Sequence, residues 1–126
     1  MSNSWNRIIL VDFDGVLHMY TSPWQGFSII SDGPVPGSFE WLTNIVMDDR
    51  FTVCVYSARS KVPEGICAMQ EWMRKYGLPE EVLKKIQFPT EKVGAFLTID
   101  DRAFCFQGKF PDAEEILAFL PWNKRK

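Results

Sequence analysis

The chain has 126 residues, enough for one domain with a buried core and too few for two ordinary domains. Hydrophobic residues make up 46% and charged residues 24%, which are globular proportions and exclude a disordered or fibrous chain. The formal net charge of -2 provides no overall attraction to nucleic acid or to an anionic membrane. We therefore predict one compact domain over residues 1–126.

Targeting and membrane signals are absent from the sequence pattern. The amino terminus lacks the charged and apolar regions of a signal peptide. No apolar run approaches the roughly 18 residues of a membrane span. The sequence therefore predicts a cytoplasmic protein without a membrane partner.

The first third of the chain contains a strand, a hairpin and a helix. Residues 8–11 form an apolar run with two isoleucines and a valine, which is typical of a central parallel strand buried on both faces. Residues 18–30 hold two apolar-rich pieces separated by proline and glycine turn signals, which predict a small hairpin, or flap. Residues 38–47 repeat apolar side chains at helical spacing and predict the first helix.

The rest of the chain alternates strands and helices. Residues 51–56 are rich in β-branched and aromatic residues and predict a second strand, and the apolar spacing over 63–76 predicts a second helix that ends before Gly77. Shorter patterns predict a short helix, an edge strand, two more strands and a closing helix, over 79–85, 86–88, 95–99, 104–106 and 111–120. This alternation indicates a parallel, three-layer α/β fold.

Polar residues follow the three most apolar strands at the point where each strand ends. They are Asp12 and Asp14, then Ser57, then Asp100 and Asp101, with Lys92 shortly before the last of these strands. Ligands of open α/β sheets bind outside the carboxyl ends of the strands, so we expect these groups to converge on one cavity. Four carboxylates together require a cation, and oxygen ligands beside a phosphate suit Mg²⁺. The lysine, the Ser57 hydroxyl and the backbone amides that follow it, first that of Ala58, would bind the phosphate.

At these positions the chain resembles the haloacid dehalogenase-like phosphatases, over most of its length. The residues that carry the resemblance are Asp12-Phe13-Asp14-Gly15-Val16, Ser57, Lys92 and Ile99-Asp100-Asp101, in the order of the four motifs of that family. The resemblance implies a Rossmann-like fold with strand order 5-4-1-2-3, and the intervals between the motifs leave no room for a cap domain. It also implies that residues 18–30 form the small flap that follows the first strand in that family.

The resemblance also implies a role for each motif residue. Asp12 would be the nucleophile and form an aspartyl-phosphate. Asp14 would be the general acid and base, and an aspartate at that position points to phosphatase chemistry. Mg²⁺ would be held by the Asp12 side chain, the Asp14 carbonyl and Asp100 or Asp101, and would offset the repulsion between nucleophile and phosphate.

Several alternatives stay open at the level of sequence. Lys92 lies only eight positions before Asp100, so Lys61 is the reserve candidate for the third motif. Arg59 and Arg102 either contact substrate phosphate or are ordinary solvated arginines, and His18 is a flap residue. A capless site would admit a large phosphorylated substrate, or would be closed by a second subunit of a homo-oligomer. The main prediction is a phosphomonoester hydrolase, with a nucleotide or nucleic-acid 3′-end phosphatase and an inactive phosphate-binding scaffold as alternatives.

Overall fold

The computed structural model describes residues 7–124, which form an α/β structure around a small parallel sheet. The strands are β1 (Arg7–Val11), β2 (Phe51–Val55) and β3 (Leu97–Ile99), in the spatial order β2-β1-β3 with both pairings parallel. The helices within the described range are α1 (Ser38–Val46), α2 (Pro63–Lys75), α3 (Glu80–Leu83) and α4 (Ala113–Leu117). The predicted α/β class and parallel pairing are confirmed. Strand β3 corresponds to the predicted fourth strand, so the observed order β3-β1-β2 matches the 4-1-2 part of the predicted order 5-4-1-2-3.

The main core lies between one face of the sheet and helices α1 and α2. Alternation in β1 and β2 directs four branched side chains to this face, where the buried side chains of the two helices meet them. The core includes Ile9, Val11, Val53, Val55, Leu42, Met69, Trp72 and Met73. The Phe39 ring of α1 packs edge to face on Trp72 of α2, with ring centroids 5.6 Å apart. Both long helices therefore cover the same side of the sheet.

The predicted hairpin over residues 18–30 is wrong, because this segment forms an irregular loop. A single bridge joins His18 to Pro34, and the Met19 N–H donates to the Gly33 carbonyl at 2.9 Å to close the base of the loop. Inside the loop, backbone carbonyls that a hairpin would use across its two strands accept hydrogen bonds from the Arg59 side chain instead. Hydrogen bonds from the Arg59 side chain, which is distant in sequence, thus take the place of the expected ladder between two strands.

The predicted edge strand at 86–88 is reduced to one residue. Gln87 bridges Cys54 in parallel and exchanges backbone hydrogen bonds with Val53 and Val55 at 3.0 and 2.9 Å, so its place beside β2 agrees with the predicted order. The predicted fifth strand at 104–106 is wrong, because these residues form no ladder in the described part of the chain and their side chains are exposed.

The carboxyl-terminal segment lies outside the main core. Helix α4 covers only part of the predicted 111–120 and contains no buried residue. The third layer of the predicted fold is therefore not formed by α4 in the described structure. No helix within residues 7–124 is both long and apolar enough to cross a lipid bilayer.

Gly65 sets how closely α2 approaches the turn that precedes it. A Cβ atom at this position would lie 2.0 Å from the Arg59 carbonyl oxygen and 2.8 Å from its carbon, so the backbone itself would have to move. We expect Gly65→Ala to lower the free energy of unfolding by about 2–4 kcal/mol, measured by urea denaturation. Gly94→Ala is the matched control, because a Cβ there meets nothing within 4 Å. Equal stability of the two variants would contradict this packing.

Candidate functional site

A cavity of about 180 Å³ opens at the carboxyl ends of the strands. Because parallel strands end at the same edge of a sheet, residues from three distant parts of the chain meet there. The lining consists of Leu10, Asp12, Tyr56, Ser57, Ala58, Lys92, Thr98 and Asp100. The structure therefore brings five of the sequence-predicted residues, namely Asp12, Ser57, Ala58, Lys92 and Asp100, to one cavity.

Three carboxylates cluster where Asp12 and Asp100 line this cavity, and Asp101 joins them from outside the lining. Asp12, Asp100 and Asp101 each place a carboxylate oxygen within 4.8 Å of the other two. The Asp12 carboxylate also accepts a hydrogen bond from the Phe13 N–H at 2.8 Å. No lysine or arginine forms an ion pair with these three carboxylates within residues 7–124. The three acids therefore lack a cationic partner among the described side chains.

This environment changes the pKa of two of the acids. Burial raises the pKa of Asp12 from its ordinary value of 3.8 to about 8, against the opposing hydrogen bond from Phe13, and the negative charge of Asp100 raises it further. Burial also raises the pKa of Asp101. A divalent cation would relieve both effects, and hard oxygen ligands favour ions such as Mg²⁺. The cluster is therefore able to hold a metal ion.

Gly15 allows the Asp101 carboxylate to reach this cluster. The glycine has a φ of +85°, and a Cβ atom on it would lie 2.2 Å from an Asp101 carboxylate oxygen. The Trp122 indole N–H donates to the Gly15 carbonyl at 2.7 Å and ties the turn to the end of the described chain. The glycine after the two aspartates is thus required both by its backbone conformation and by close approach.

Ser57 begins the short 3₁₀ turn Ala58–Lys61 that follows β2. Its hydroxyl accepts a hydrogen bond from the Arg59 N–H at 3.0 Å, and its own N–H donates to the Ser60 hydroxyl at 3.1 Å, so the two serines cap the turn reciprocally. The Ala58 N–H finds no acceptor among residues 7–124. Ser57 therefore combines a capping role with a place in the cavity wall, and Ala58, whose N–H has no acceptor in the described part of the chain, belongs to the same wall.

The two candidate lysines for the third motif occupy different places. Lys92 lines the cavity, on the exposed segment before β3. Lys61 ends the 3₁₀ turn, is exposed, and is absent from the cavity lining. The geometry therefore favours Lys92 as the lysine that could contact an anion in this cavity.

Asp14 is not brought to the cavity lining, because its carboxylate faces the loop over 18–34. It accepts hydrogen bonds from Arg59 Nε at 3.0 and 3.2 Å, from Arg59 Nη2 at 3.2 Å and from His18 Nδ1 at 2.8 Å. Arg59 is only 1% exposed, so it is neither a solvated arginine nor part of the cavity wall. Sequence reasoning missed this buried ion pair, and the only local signal was the position of Arg59 two residues after a strand-ending serine.

Comparisons with known proteins add no identification. No protein-family model matches the chain, and no curated protein matches it significantly. The functional interpretation therefore rests on the motifs and on the geometry of the cavity.

Removal of the Asp12 charge should stabilise the metal-free protein at alkaline pH. The folded-state pKa of about 8 lies above the ordinary 3.8, so between these values the folded protein keeps a proton on Asp12 that the unfolded chain releases, and the free energy of unfolding falls as pH rises. We expect Asp12→Asn to raise the free energy of unfolding near pH 8 by about 1–3 kcal/mol, and by much less near pH 4. Urea denaturation with and without Mg²⁺ measures this difference, which should shrink when the cation is present. A variant less stable than wild type at both pH values would contradict the assignment.

Gly15→Ala should lower the affinity for Mg²⁺, and it should lower the free energy of unfolding only by the cost of its positive φ. The added Cβ displaces a flexible carboxylate and not backbone, while the positive φ costs about 1–2 kcal/mol. Calorimetric titration with Mg²⁺ should show a loss of affinity for Gly15→Ala. Gly77→Ala, at a φ of +95° with nothing near its Cβ, is the control for backbone strain and should keep the affinity of wild type.

Proposed function

We propose that the chain is a Mg²⁺-dependent phosphomonoester hydrolase that works through an aspartyl-phosphate on Asp12. The observation that carries the proposal is the convergence of Asp12, Ser57, Ala58, Lys92 and Asp100 on one cavity at the strand ends. The parallel strand order agrees with the Rossmann-like, capless fold of the haloacid dehalogenase-like phosphatases, which forms part of the same proposal.

The metal would be held by Asp12 and by Asp100 or Asp101, together with the Asp14 carbonyl. The fit rests on three clustered carboxylates without an ion-pair partner and on the raised pKa of Asp12. When bound, Mg²⁺ would neutralise charge on the nucleophile and on the phosphate oxygens. The Lys92 ammonium and the Ala58 amide, which belong to the same cavity lining, would bind the phosphate as hydrogen-bond donors.

The proposed reaction has two displacements at phosphorus. An Asp12 carboxylate oxygen attacks phosphorus, the bond from phosphorus to the ester oxygen breaks, and Asp14 gives its proton to the departing oxygen. Asp14 then takes a proton from water, the water oxygen attacks phosphorus, and the bond to Asp12 breaks to release phosphate. The sum is ester plus water giving alcohol plus phosphate, with both aspartates returned to their initial states.

The position of Asp14 away from the cavity lining is compatible with this scheme. Attacking and leaving oxygens lie roughly in line on opposite sides of phosphorus. A group that serves the leaving oxygen therefore belongs across the site from Asp12 and need not share the cavity lining with it. The Asp14 carboxylate contacts His18 and Arg59.

Hydrolysis of 4-nitrophenyl phosphate tests the proposal. We expect activity that requires Mg²⁺, falls to background in Asp12→Asn, and falls about 10²–10⁴-fold in Asp14→Asn. Asp49→Asn, at an exposed position outside the cavity, should keep wild-type activity. Full activity of Asp12→Asn would rule out the assigned nucleophile.

The two lysines provide a second, matched test. Lys92→Gln should raise the KM about tenfold or more because a charge-assisted hydrogen bond to phosphate is lost. Lys61→Gln should leave the KM unchanged, since Lys61 does not line the cavity. The reverse pattern would transfer the third-motif role to Lys61.

One observation favours a second candidate, a protein that binds Mg²⁺ and phosphate without turnover. The Asp14 carboxylate is hydrogen-bonded to Arg59 and His18. If these contacts keep Asp14 from transferring a proton, the cavity binds Mg²⁺ and phosphate but does not hydrolyse the ester. Binding of Mg²⁺ and inorganic phosphate in isothermal titration calorimetry, without any hydrolysis of 4-nitrophenyl phosphate, would support this second candidate over the first.

A further inference from the structure

The Arg59 side chain is buried and makes hydrogen bonds in two directions. Its Nε and Nη2 donate to the Asp14 carboxylate, and its Nη1 faces the carbonyl oxygens of Gly26, Phe27 and Ile29 at 3.1, 2.8 and 3.1 Å. The guanidinium carbon also lies 4.6 Å from the centre of the Trp24 ring. One side chain therefore joins the second aspartate of the first motif to the loop that covers it.

Such a set of contacts requires the planar fork of an arginine. The guanidinium binds a carboxylate through two of its nitrogens and a group of carbonyls through the third, so it makes contacts in two directions at once. A lysine ammonium would keep the charge but could not span both partners. The arrangement thus depends on geometry as well as on charge.

His18 holds the same carboxylate from a second direction. Its Nε2 accepts a hydrogen bond from the Asp32 N–H at 3.1 Å, so the proton on the neutral ring lies on Nδ1 and is donated to Asp14. The Asp32 carboxylate in turn accepts from the Thr21 and Ser22 amides and from the Ser22 hydroxyl. The loop is therefore attached to Asp14 through His18 as well as through Arg59.

We infer that Arg59 is a positioning residue that fixes the 24–29 loop and the Asp14 carboxylate as one unit. Arg59 lines no part of the cavity, and all three of its side-chain nitrogens are engaged within the protein, so it is not a phosphate contact. The part of this inference that concerns acid and base chemistry rests on the proposed function. The part that concerns the loop does not.

Limited proteolysis with chymotrypsin tests the loop directly. Trp24 and Phe27 are 43% and 39% exposed, and they are cleavage sites that the protease reaches only when the loop can leave its place. Mass spectrometry gives the rate of cleavage after these residues relative to cleavage after Phe106, an exposed site in the carboxyl-terminal segment that serves as internal reference. We expect Arg59→Lys to raise the ratio about tenfold or more.

Arg50→Lys is the matched control, because Arg50 is exposed and pairs at the surface with Asp48, two residues away. This variant should leave the ratio unchanged. An unchanged ratio in Arg59→Lys would overturn the inference. If Arg59→Lys does not fold by circular dichroism, Trp24→Leu removes the ring under the guanidinium at an exposed position. This variant should then raise the rate of cleavage after Phe27 relative to Phe106, and an unchanged rate would also overturn the inference.

Trapping of the covalent intermediate tests the effect on Asp14. With 4-nitrophenyl phosphate the leaving group departs without much help, so a misplaced Asp14 slows mainly the attack of water. We expect Arg59→Lys to lower kcat, to lower the KM by a similar factor so that kcat/KM changes less than about twofold, and to increase the fraction of acid-stable phosphoenzyme. A raised KM with less phosphoenzyme would show that Arg59 contacts the substrate, and it would overturn the positioning role.

The two proposals fail in different ways. If wild-type protein forms no phosphoenzyme with Mg²⁺, the proposed function fails, while the proteolysis ratio still decides whether Arg59 positions the loop. If wild type turns over and Arg59→Lys matches it in cleavage ratio, kcat and phosphoenzyme fraction, the positioning role fails and the proposed function stands.

Discussion

Parallel pairing of β1 with both of its neighbours is the constraint on which the candidate site depends. It places the ends of β1, β2 and β3 at one edge of the sheet, so Asp12, Ser57 and Asp100 meet although they are far apart in the chain. The core on one face of the sheet, filled by α1 and α2, holds β1 and β2 together, and Ile99 of β3 packs against its margin.

The acid cluster has an unfavourable electrostatic energy in the folded protein. Burial of Asp12 beside Asp100 and Asp101 raises the pKa of Asp12 to about 8, which means that its ionised form opposes folding at neutral pH. Packing must supply the compensation, since no arginine or lysine of the described chain pairs with the cluster. Charge arranged at a net cost to stability is common where a site has to bind a cation or a charged substrate.

Two aspartates of the same short segment serve different parts of the molecule. Asp12 and Asp14 are separated by one residue, yet the first faces the cavity and the second faces the loop over 18–34. The buried Arg59 stabilises this division, because it satisfies the Asp14 carboxylate and three loop carbonyls with one side chain. An unpaired buried arginine or carboxylate would cost several kcal/mol, so the loop and the ion pair are expected to form together.

Much of the fold and most of the cavity lining follow from sequence alone. Apolar runs and helical spacing are local properties, so they predict β1, β2, α1 and α2 to within a residue or two, and chain order then predicts which strand ends share an edge. Tertiary structure decided the rest. The side chain of Arg59 crosses 45 positions to reach Asp14 and takes the loop carbonyls that a hairpin would have used. Such competition between distant groups for the same hydrogen bonds leaves no trace in local patterns, because its outcome depends on burial that exists only in the folded chain.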